Sequence, residues 1–277
     1  MKNNNKDKPK RKGHYDEYRA AVSQLDDKTK NKLELQRALG MMLVVVVAIG
    51  IFCILVFTGV GVDKNRSVSG NVFADLENVL IECFGDSITE GYTVSEETGA
   101  AYIADVPYPE EMKVHLSELL AGDGNKYKCS SIEVRNFGQS GSILQKDSCA
   151  RLSGKAHIVI ILYTSNNFME GVEYEGTLES NIDTIMSQGS QVFLMNYPVK
   201  KGTIYENKLL QANNYISSVA GSRSVQFIDA EKYFNDMTEE ASGKLFSPDG
   251  VHLTEEGYRL LGDYAAEVIH EYYRSMY

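Results

Sequence analysis

The sequence lacks tryptophan altogether, and it has only four cysteines and five scattered histidines among its 277 residues. The absence of tryptophan argues against a broad platform for stacking sugar rings, because large aromatic side chains build such platforms. No C-x-x-C pair occurs and the histidines are not grouped, so neither a metal site nor another cofactor is expected. If the C-terminal part of the chain lies outside the cell, Cys129 and Cys149 are the pair available for a disulfide.

Charge is also missing from one long stretch, residues 38–62, in which Thr58 carries the only hydroxyl group. An uncharged apolar run of more than about 18 residues can cross the roughly 30 Å hydrocarbon core of a bilayer as one helix. We therefore expect a transmembrane signal-anchor helix here. A cleaved signal peptide is the alternative, but its apolar region is usually about 7 to 15 residues long and follows a shorter basic segment.

The charges on either side of this run predict its orientation. Residues 1–37 contain eleven Lys and Arg against six Asp and Glu, whereas acidic residues are in excess in the rest of the chain. Under the positive-inside rule the N-terminus is cytoplasmic. The predicted organisation is a basic cytoplasmic tail (1–37), a single membrane span (38–62), a linker (63–77) and an extracytoplasmic domain (78–277) held at the cell membrane. The acidic outer domain argues against nucleic acid as a partner.

Short apolar runs alternate with helical patterns from residue 79 onward. Several of the runs are apolar at successive positions, which is typical of parallel strands covered on both faces. We predict strands over Val79–Cys83, Ser131–Asn136, His157–Tyr163, Gln191–Asn196 and Val225–Asp229. We predict helices from Pro109 to about Gly122 and over Leu178–Met186, Tyr205–Ala220 and Glu255–Tyr273, the last with Thr254 as its N-cap. This alternation favours one α/β domain with right-handed crossovers.

Polar or glycine-rich segments follow three of the predicted strands and precede the last helix. Because ligand sites in parallel sheets form at the carboxyl ends of the strands, we expect these segments to meet at one edge. They are 85–87 (Gly-Asp-Ser), 136–141 (Asn-Phe-Gly-Gln-Ser-Gly), 164–167 (Thr-Ser-Asn-Asn) and 247–252 (Ser-Pro-Asp-Gly-Val-His).

These segments contain the side chains that nucleophilic catalysis needs. A serine hydroxyl is a poor nucleophile until a base removes its proton and an acid orients that base. We assign Ser87 as nucleophile, His252 as base and Asp249 as the orienting acid. The oxyanion of a tetrahedral intermediate needs hydrogen-bond donors, and we assign these to the backbone N–H groups of Ser87 and Gly138 and to the Asn166 amide.

Together the four segments resemble the SGNH hydrolases, also called GDSL esterases/lipases, over about residues 78–275. The resemblance implies a three-layer α/β/α sandwich similar to flavodoxin with a parallel five-stranded sheet, a serine esterase mechanism without metal, and the assigned residues as triad and oxyanion hole. The third segment departs from the family pattern, because Thr164 replaces the usual glycine and Asn167 the usual aspartate. The common α/β-hydrolase elbow, G-x-S-x-G, is absent around Ser87.

The predicted function is a membrane-anchored extracytoplasmic serine esterase that hydrolyses acyl esters, with O-acetyl groups on carbohydrate or cell-envelope substrates as the leading candidates. Transfer of the same acyl group to a sugar hydroxyl is an enzymatic alternative, as is lipid or lysophospholipid hydrolysis. A non-catalytic envelope-binding protein that keeps the fold is a third class. Acyl length, the alcohol part and oligomeric state cannot be read from the sequence, since fold does not determine substrate.

Overall fold

The computed structural model describes residues 70–276, in which five parallel strands form one sheet. The strands of the sheet are β1 (Asn78–Gly85), β4 (Ser131–Gly138), β5 (Ile158–Leu162), β6 (Gln191–Met195) and β7 (Gln226–Ile228). They lie in the order β4-β1-β5-β6-β7, which is the doubly wound order found in flavodoxin-like sheets. The order reverses at β1, so the ends of β1 and its neighbours form the crevice where such folds bind ligands.

Helices cover both faces of this sheet. Every residue of β5 is buried, as expected for a central strand between two helical layers. The helices are α1 (Val72–Asp75), α2 (Ser87–Glu90), α3 (Tyr108–Gly122), α4 (Ser165–Glu170), α5 (Thr177–Ser187), α6 (Glu206–Arg223), α7 (Ala230–Asn235), α8 (Glu239–Gly243) and α9 (Glu255–Arg274). Helix α3 packs closely on α9, and Gly262 permits this because a Cβ there would lie 2.8 Å from the Tyr108 carbonyl oxygen.

The five predicted strands and four predicted helices are confirmed, with ends shifted by a few residues at most. The predicted N-cap of α9 is also confirmed, because the Thr254 hydroxyl accepts a hydrogen bond from the Gly257 N–H at 3.2 Å. A small antiparallel hairpin was not predicted. It joins β2 (Tyr92–Val94) to β3 (Ala101–Ile103) directly after α2.

Several expectations concern residues 1–69, which lie outside the described residues: the cytoplasmic tail, the membrane span over 38–62 and residues 63–69 of the linker. None of the helices within residues 70–276 is long and apolar enough to cross a bilayer. In this same part of the chain Cys83, Cys129 and Cys149 are all free, so the disulfide considered for Cys129 and Cys149 is not formed.

Candidate active site

Ser87 lies at the first turn of α2, immediately beyond the carboxyl end of β1. Asp86 is the N-cap of this helix, and its side chain accepts a hydrogen bond from the Ile88 N–H at 3.2 Å. The sharp change from strand to helix places the Ser87 hydroxyl at the edge of the sheet. Ser87 lines a cavity and is only 8% exposed.

A continuous line of hydrogen bonds connects Ser87, His252 and Asp249. The Ser87 Oγ lies 2.8 Å from His252 Nε2, and His252 Nδ1 lies 2.7 Å from Asp249 Oδ2. The structure therefore brings together three residues predicted as nucleophile, base and orienting acid, although Ser87 and His252 are 165 positions apart. The distances permit proton transfer from the serine to the imidazole.

The Asp249 carboxylate is held by four donors. Its Oδ1 accepts hydrogen bonds from the Ser247 hydroxyl and from the N–H groups of Val251 and His252, at 2.8, 2.9 and 3.0 Å. Partial burial would raise the pKa of Asp249, but the hydrogen bonds from the His252 ring and from these backbone groups outweigh it and hold the pKa well below its usual range. Asp249 is therefore ionised beside the imidazole at neutral pH.

A second carboxylate, Asp86, lies next to Ser87 but is not part of this line. It is fully buried, and its Oδ2 accepts hydrogen bonds from Tyr197 OH at 2.6 Å and from Ser165 Oγ at 2.7 Å. Burial raises the pKa of Asp86, while these two hydrogen bonds oppose the shift. Asp86 connects the end of β1 to the segments that follow β5 and β6. Tyr197 was not identified from the sequence.

The segment after β5 has an unusual backbone at Thr164. Its φ is 106°, in the left-handed region that favours glycine, and its side chain is fully buried with the hydroxyl unpaired. This conformation explains why glycine is usual at the position, and a threonine there stores backbone strain.

Asn167 replaces the usual aspartate and uses both ends of its amide. Its oxygen accepts from the Leu144 N–H at 3.0 Å, and its nitrogen donates to the carbonyl oxygens of Leu144 and Glu173 at 3.0 and 2.7 Å. A carboxylate could not donate these two bonds. Asn167 thus anchors neighbouring loops, while the preceding Asn166 is directed to the cavity and donates one hydrogen bond to the Ser142 carbonyl oxygen at 3.0 Å.

The assignment of Gly138 as an oxyanion donor is not supported. Its N–H donates to the Asn136 side-chain oxygen at 2.9 Å, and Gly138 does not line the cavity around Ser87. Glycine is needed there for another reason. A Cβ at this position would lie 2.0 Å from the Glu90 nitrogen, so Gly138 allows α2 to pack against the end of β4.

Gly141, three residues later, does line the cavity with Ser87, and its φ of 69° is one that glycine adopts readily. Its loop is held from two sides. Glu90 Oε2 accepts from the Ser140 N–H at 2.7 Å and also from the Ser140 hydroxyl. Arg151 donates to the Gln139 side-chain oxygen at 2.8 Å and to the Gly85 carbonyl oxygen at 3.1 Å.

The cavity that contains the Ser87 hydroxyl has a volume of about 450 Å³. Polar lining comes from Ser140, Ser165 and Asn166, and apolar lining from Tyr92, Met169, Tyr205 and Val251. The Tyr92 ring packs against the His252 imidazole with the ring centres 4.6 Å apart, so the unpredicted hairpin helps to hold the His252 ring in place. Tyr163, the residue after β5, is buried and donates to the Ser142 hydroxyl at 2.5 Å.

Comparisons with known proteins identify one matching family and several similar structures. A model of the GDSL-like lipase/acylhydrolase family matches residues 83–260. No curated protein sequence matches the chain. Similar solved structures include a lipase/acylhydrolase from Enterococcus faecalis, which is 22% identical with a TM-score of 0.53 and covers 70% of this chain and 96% of its own.

Two further similar structures are described by their carbohydrate substrates. A carbohydrate acetylesterase from Sinorhizobium meliloti is 16% identical with a TM-score of 0.50 and covers 70% of this chain and 99% of its own. A variant of an acetyl-xylooligosaccharide esterase from Geobacillus is 20% identical with a TM-score of 0.52 and covers 71% of this chain and 95% of its own. At these identities the likeness establishes the shared fold.

Proposed function

The chain belongs to the GDSL-like lipase/acylhydrolase family and is an ester hydrolase, and from this premise we propose that it removes acetyl or other short acyl groups from a carbohydrate or cell-envelope substrate. The observation that carries the proposal is the hydrogen-bonded line from Ser87 through His252 to Asp249. A serine hydroxyl, a base and an acid that orients the base are the groups that activation of the nucleophile requires. The two similar acetylesterases of carbohydrates favour this substrate class.

In the proposed mechanism His252 Nε2 accepts the proton of Ser87 as its Oγ attacks the ester carbonyl carbon. Asp249 holds the imidazole in the tautomer that leaves Nε2 free to accept, and its negative charge stabilises the imidazolium. His252 then gives the proton to the departing alkoxide, which leaves as the alcohol. Water, deprotonated by His252, attacks the acyl-enzyme, and collapse of the second intermediate releases the carboxylic acid and restores Ser87.

We place the oxyanion donors at the N–H groups of Ser87 and Gly141 and at the Asn166 amide. All three residues line the same cavity. One Asn166 amide hydrogen is used by the Ser142 carbonyl oxygen, which fixes the orientation of the amide and leaves its second hydrogen for the oxyanion. This set replaces Gly138, whose N–H already has a partner.

Changing Asn166 to alanine is expected to lower kcat by about 10²- to 10³-fold with a small change in KM, since an oxyanion donor acts chiefly in the transition state. Asn166→Asp, which keeps the volume but places an acceptor at the oxyanion, should be at least as damaging. Steady-state kinetics on a soluble acetyl ester measures both. An Asn166→Ala enzyme with more than half of the native kcat would remove this residue from the oxyanion hole.

The size and lining of the cavity favour a short acyl group. A volume of about 450 Å³ lies in the lower part of the range of small-molecule sites and must hold both the acyl group and part of the alcohol. Its polar side, formed by serine and asparagine side chains, can form hydrogen bonds with the hydroxyl groups of a sugar. These features support an O-acetylated carbohydrate more than a lipid with a long acyl chain.

The test is an acyl-length profile of the full-length protein, using acetyl, butyryl, octanoyl and palmitoyl esters of p-nitrophenol and an acetylated xylo-oligosaccharide. We expect the highest kcat/KM with the acetyl or butyryl ester and release of acetate from the oligosaccharide, with Ser87→Ala as the inactive control. A maximum with the palmitoyl ester would instead identify a lipase. Absence of Ser87-dependent hydrolysis of every ester would refute the proposal.

We also propose that the domain acts outside the cell while anchored to the membrane. Support comes from the sequence: residues 38–62 are uncharged and apolar, and the basic residues of 1–37 precede them. A cysteine introduced into the C-terminal domain would be labelled by a membrane-impermeant thiol reagent on intact cells if this topology holds, and would be protected if the domain is cytoplasmic.

A further inference from the structure

A second cavity lies beside the turn that carries Asp249. Its volume is about 290 Å³, and its walls include Lys200 and Lys201 together with Val199, Phe234, Asn235 and Ser242. None of its lining residues is acidic. This is unusual in its surroundings, because residues 70–276 contain fifteen Lys and Arg against thirty-one Asp and Glu.

The loop that carries the two lysines packs directly on the catalytic turn. A Cβ added to Gly250, the residue after Asp249, would lie 2.7 Å from Thr203 Cγ2 and 3.9 Å from Lys200 Cδ. Tyr205, at the end of the same loop, lines the cavity around Ser87. A substrate that extends from the catalytic serine past this turn therefore reaches the lysines.

Lys200 and Lys201 are not neutralised by an ion pair with any residue of 70–276. Within the described part of the chain, no carboxylate forms an ion pair with Lys200 or Lys201, whereas Arg135, Arg223 and Arg259 are all paired. The nearby carboxylates are engaged elsewhere. Glu206 Oε2 accepts from the Gly202 N–H at 2.7 Å, and Asp249 is saturated by its four donors.

From the position, the charge and the lack of partners, we propose that the Lys200–Lys201 cavity is a substrate subsite that binds an anionic group, a carboxylate or a phosphate, of an acylated carbohydrate polymer. The proposal rests on the function proposed above and narrows its substrate class. Lysine ammonium groups bind either anion as compact charges. Asn235 and Ser242 add hydrogen-bonding groups. Val199 and Phe234 add an apolar wall against which the carbon atoms of the substrate's sugar ring or polymer backbone can pack.

The lysines also offset the repulsion between the acidic domain and an anionic substrate. The strong negative charge of the domain repels an anionic polymer at long range, and that repulsion is screened beyond about 10 Å at moderate ionic strength. A local pair of cations beside the catalytic turn restores affinity where the ester must be placed. Binding at this subsite should therefore weaken as sodium chloride is raised, and selectivity for anionic over neutral esters should fall with it.

The test compares the full-length protein with its K200Q/K201Q variant, and uses Lys208→Gln, an exposed lysine on α6 outside the cavity, as the matched control. The substrates are an acetylated oligogalacturonide, an acetylated glycerol phosphate oligomer and an acetylated xylo-oligosaccharide. We expect the ratio of kcat/KM for one of the anionic esters to that for the neutral ester to fall about tenfold in K200Q/K201Q through KM, and to stay as in the native protein in Lys208→Gln. Whichever anionic ester responds identifies carboxylate or phosphate as the ligand. An unchanged ratio for both would overturn the subsite.

A binding measurement separates this inference from the proposed function. Calorimetric titration of the Ser87→Ala protein with the unacetylated forms of the same three oligomers requires no turnover. The subsite predicts that an anionic oligomer binds, and that K200Q/K201Q in the same background weakens its binding at least fivefold more than that of the neutral oligomer. Equal weakening of all three, or no binding of either anionic oligomer, would contradict it. If esters are not hydrolysed but the anionic oligomer binds through the lysines, the proposed esterase function is refuted and the proposed subsite is supported.

Discussion

Replacing Ser87 by alanine is expected to lower kcat by about 10⁴- to 10⁶-fold, because the acyl group then has no nucleophile and only binding and oxyanion stabilisation remain. The change removes one hydrogen-bonded oxygen, whose partner is His252 Nε2, and leaves the strand-to-helix turn intact because Asp86 is its cap. The melting temperature should therefore change little. Steady-state kinetics on an acetyl ester and thermal unfolding measure the two effects separately.

Ser140→Ala is the matched control. Ser140 also lines the cavity, but its hydroxyl is bonded to Glu90 and not to His252. We expect Ser140→Ala to retain activity within about tenfold of the native protein, since a change to a loop contact of this kind costs about 1 kcal/mol. A Ser87→Ala enzyme as active as Ser140→Ala would show that the reaction does not pass through Ser87.

Replacing Asp249 by asparagine is expected to lower kcat by about 10⁴-fold while preserving the fold. The reason lies in the donors around the carboxylate. Three of them surround Oδ1, so the amide oxygen of the asparagine must take that place, and its NH₂ group then faces His252 Nδ1. Nδ1 is forced to accept a hydrogen bond, the proton moves to Nε2, and the imidazole can no longer take the proton of Ser87.

The same substitution has a pH signature in stability. Because the folded-state pKa of Asp249 is held below its usual range, its ionised form stabilises the fold above the unfolded pKa of about 3.9 and this contribution is lost as the pH falls below it. The difference in melting temperature between native and Asp249→Asn protein should shrink on acidification. Asp183→Asn, which removes an exposed pair with Arg223, should leave kcat unchanged. A kcat for Asp249→Asn within tenfold of native would contradict the assigned role.

The sheet was predictable because burial leaves a direct mark on the sequence. A strand covered on both faces is apolar at successive positions, as in Ile158–Leu162, and the intervening helices have their own periodicity and end signals. The β2–β3 hairpin leaves no such mark. Its strands have three residues each, and all of Ala101–Ile103 is exposed, so the alternation that identifies a strand is missing.

The meeting of Ser87, Asp249 and His252 was also predictable, because all three occur in short segments with recognisable chemistry. The hydrogen-bond partner of the Gly138 N–H was not predictable from the sequence. Gly138 is the last residue of β4 and Gly141 lies three residues beyond it, both at the expected edge, and the choice between them depends on a local hydrogen bond from the Gly138 N–H to the Asn136 side chain. Tyr197 was missed for a different reason. It reaches Asp86 from 111 positions away, and nothing in its immediate sequence indicates a polar partner.

The most direct test of Ser87 as the nucleophile is to expose the full-length protein to a fluorophosphonate and to locate the adduct by mass spectrometry of its peptides. Activated serines react with such reagents because the phosphorus centre imitates the attacked carbonyl carbon, and reaction requires both the base and the oxyanion donors. We expect a single adduct on Ser87 that is lost in Ser87→Ala and formed much more slowly in Asp249→Asn. An adduct on Ser140 or Ser165, or no adduct with the native protein, would contradict this assignment.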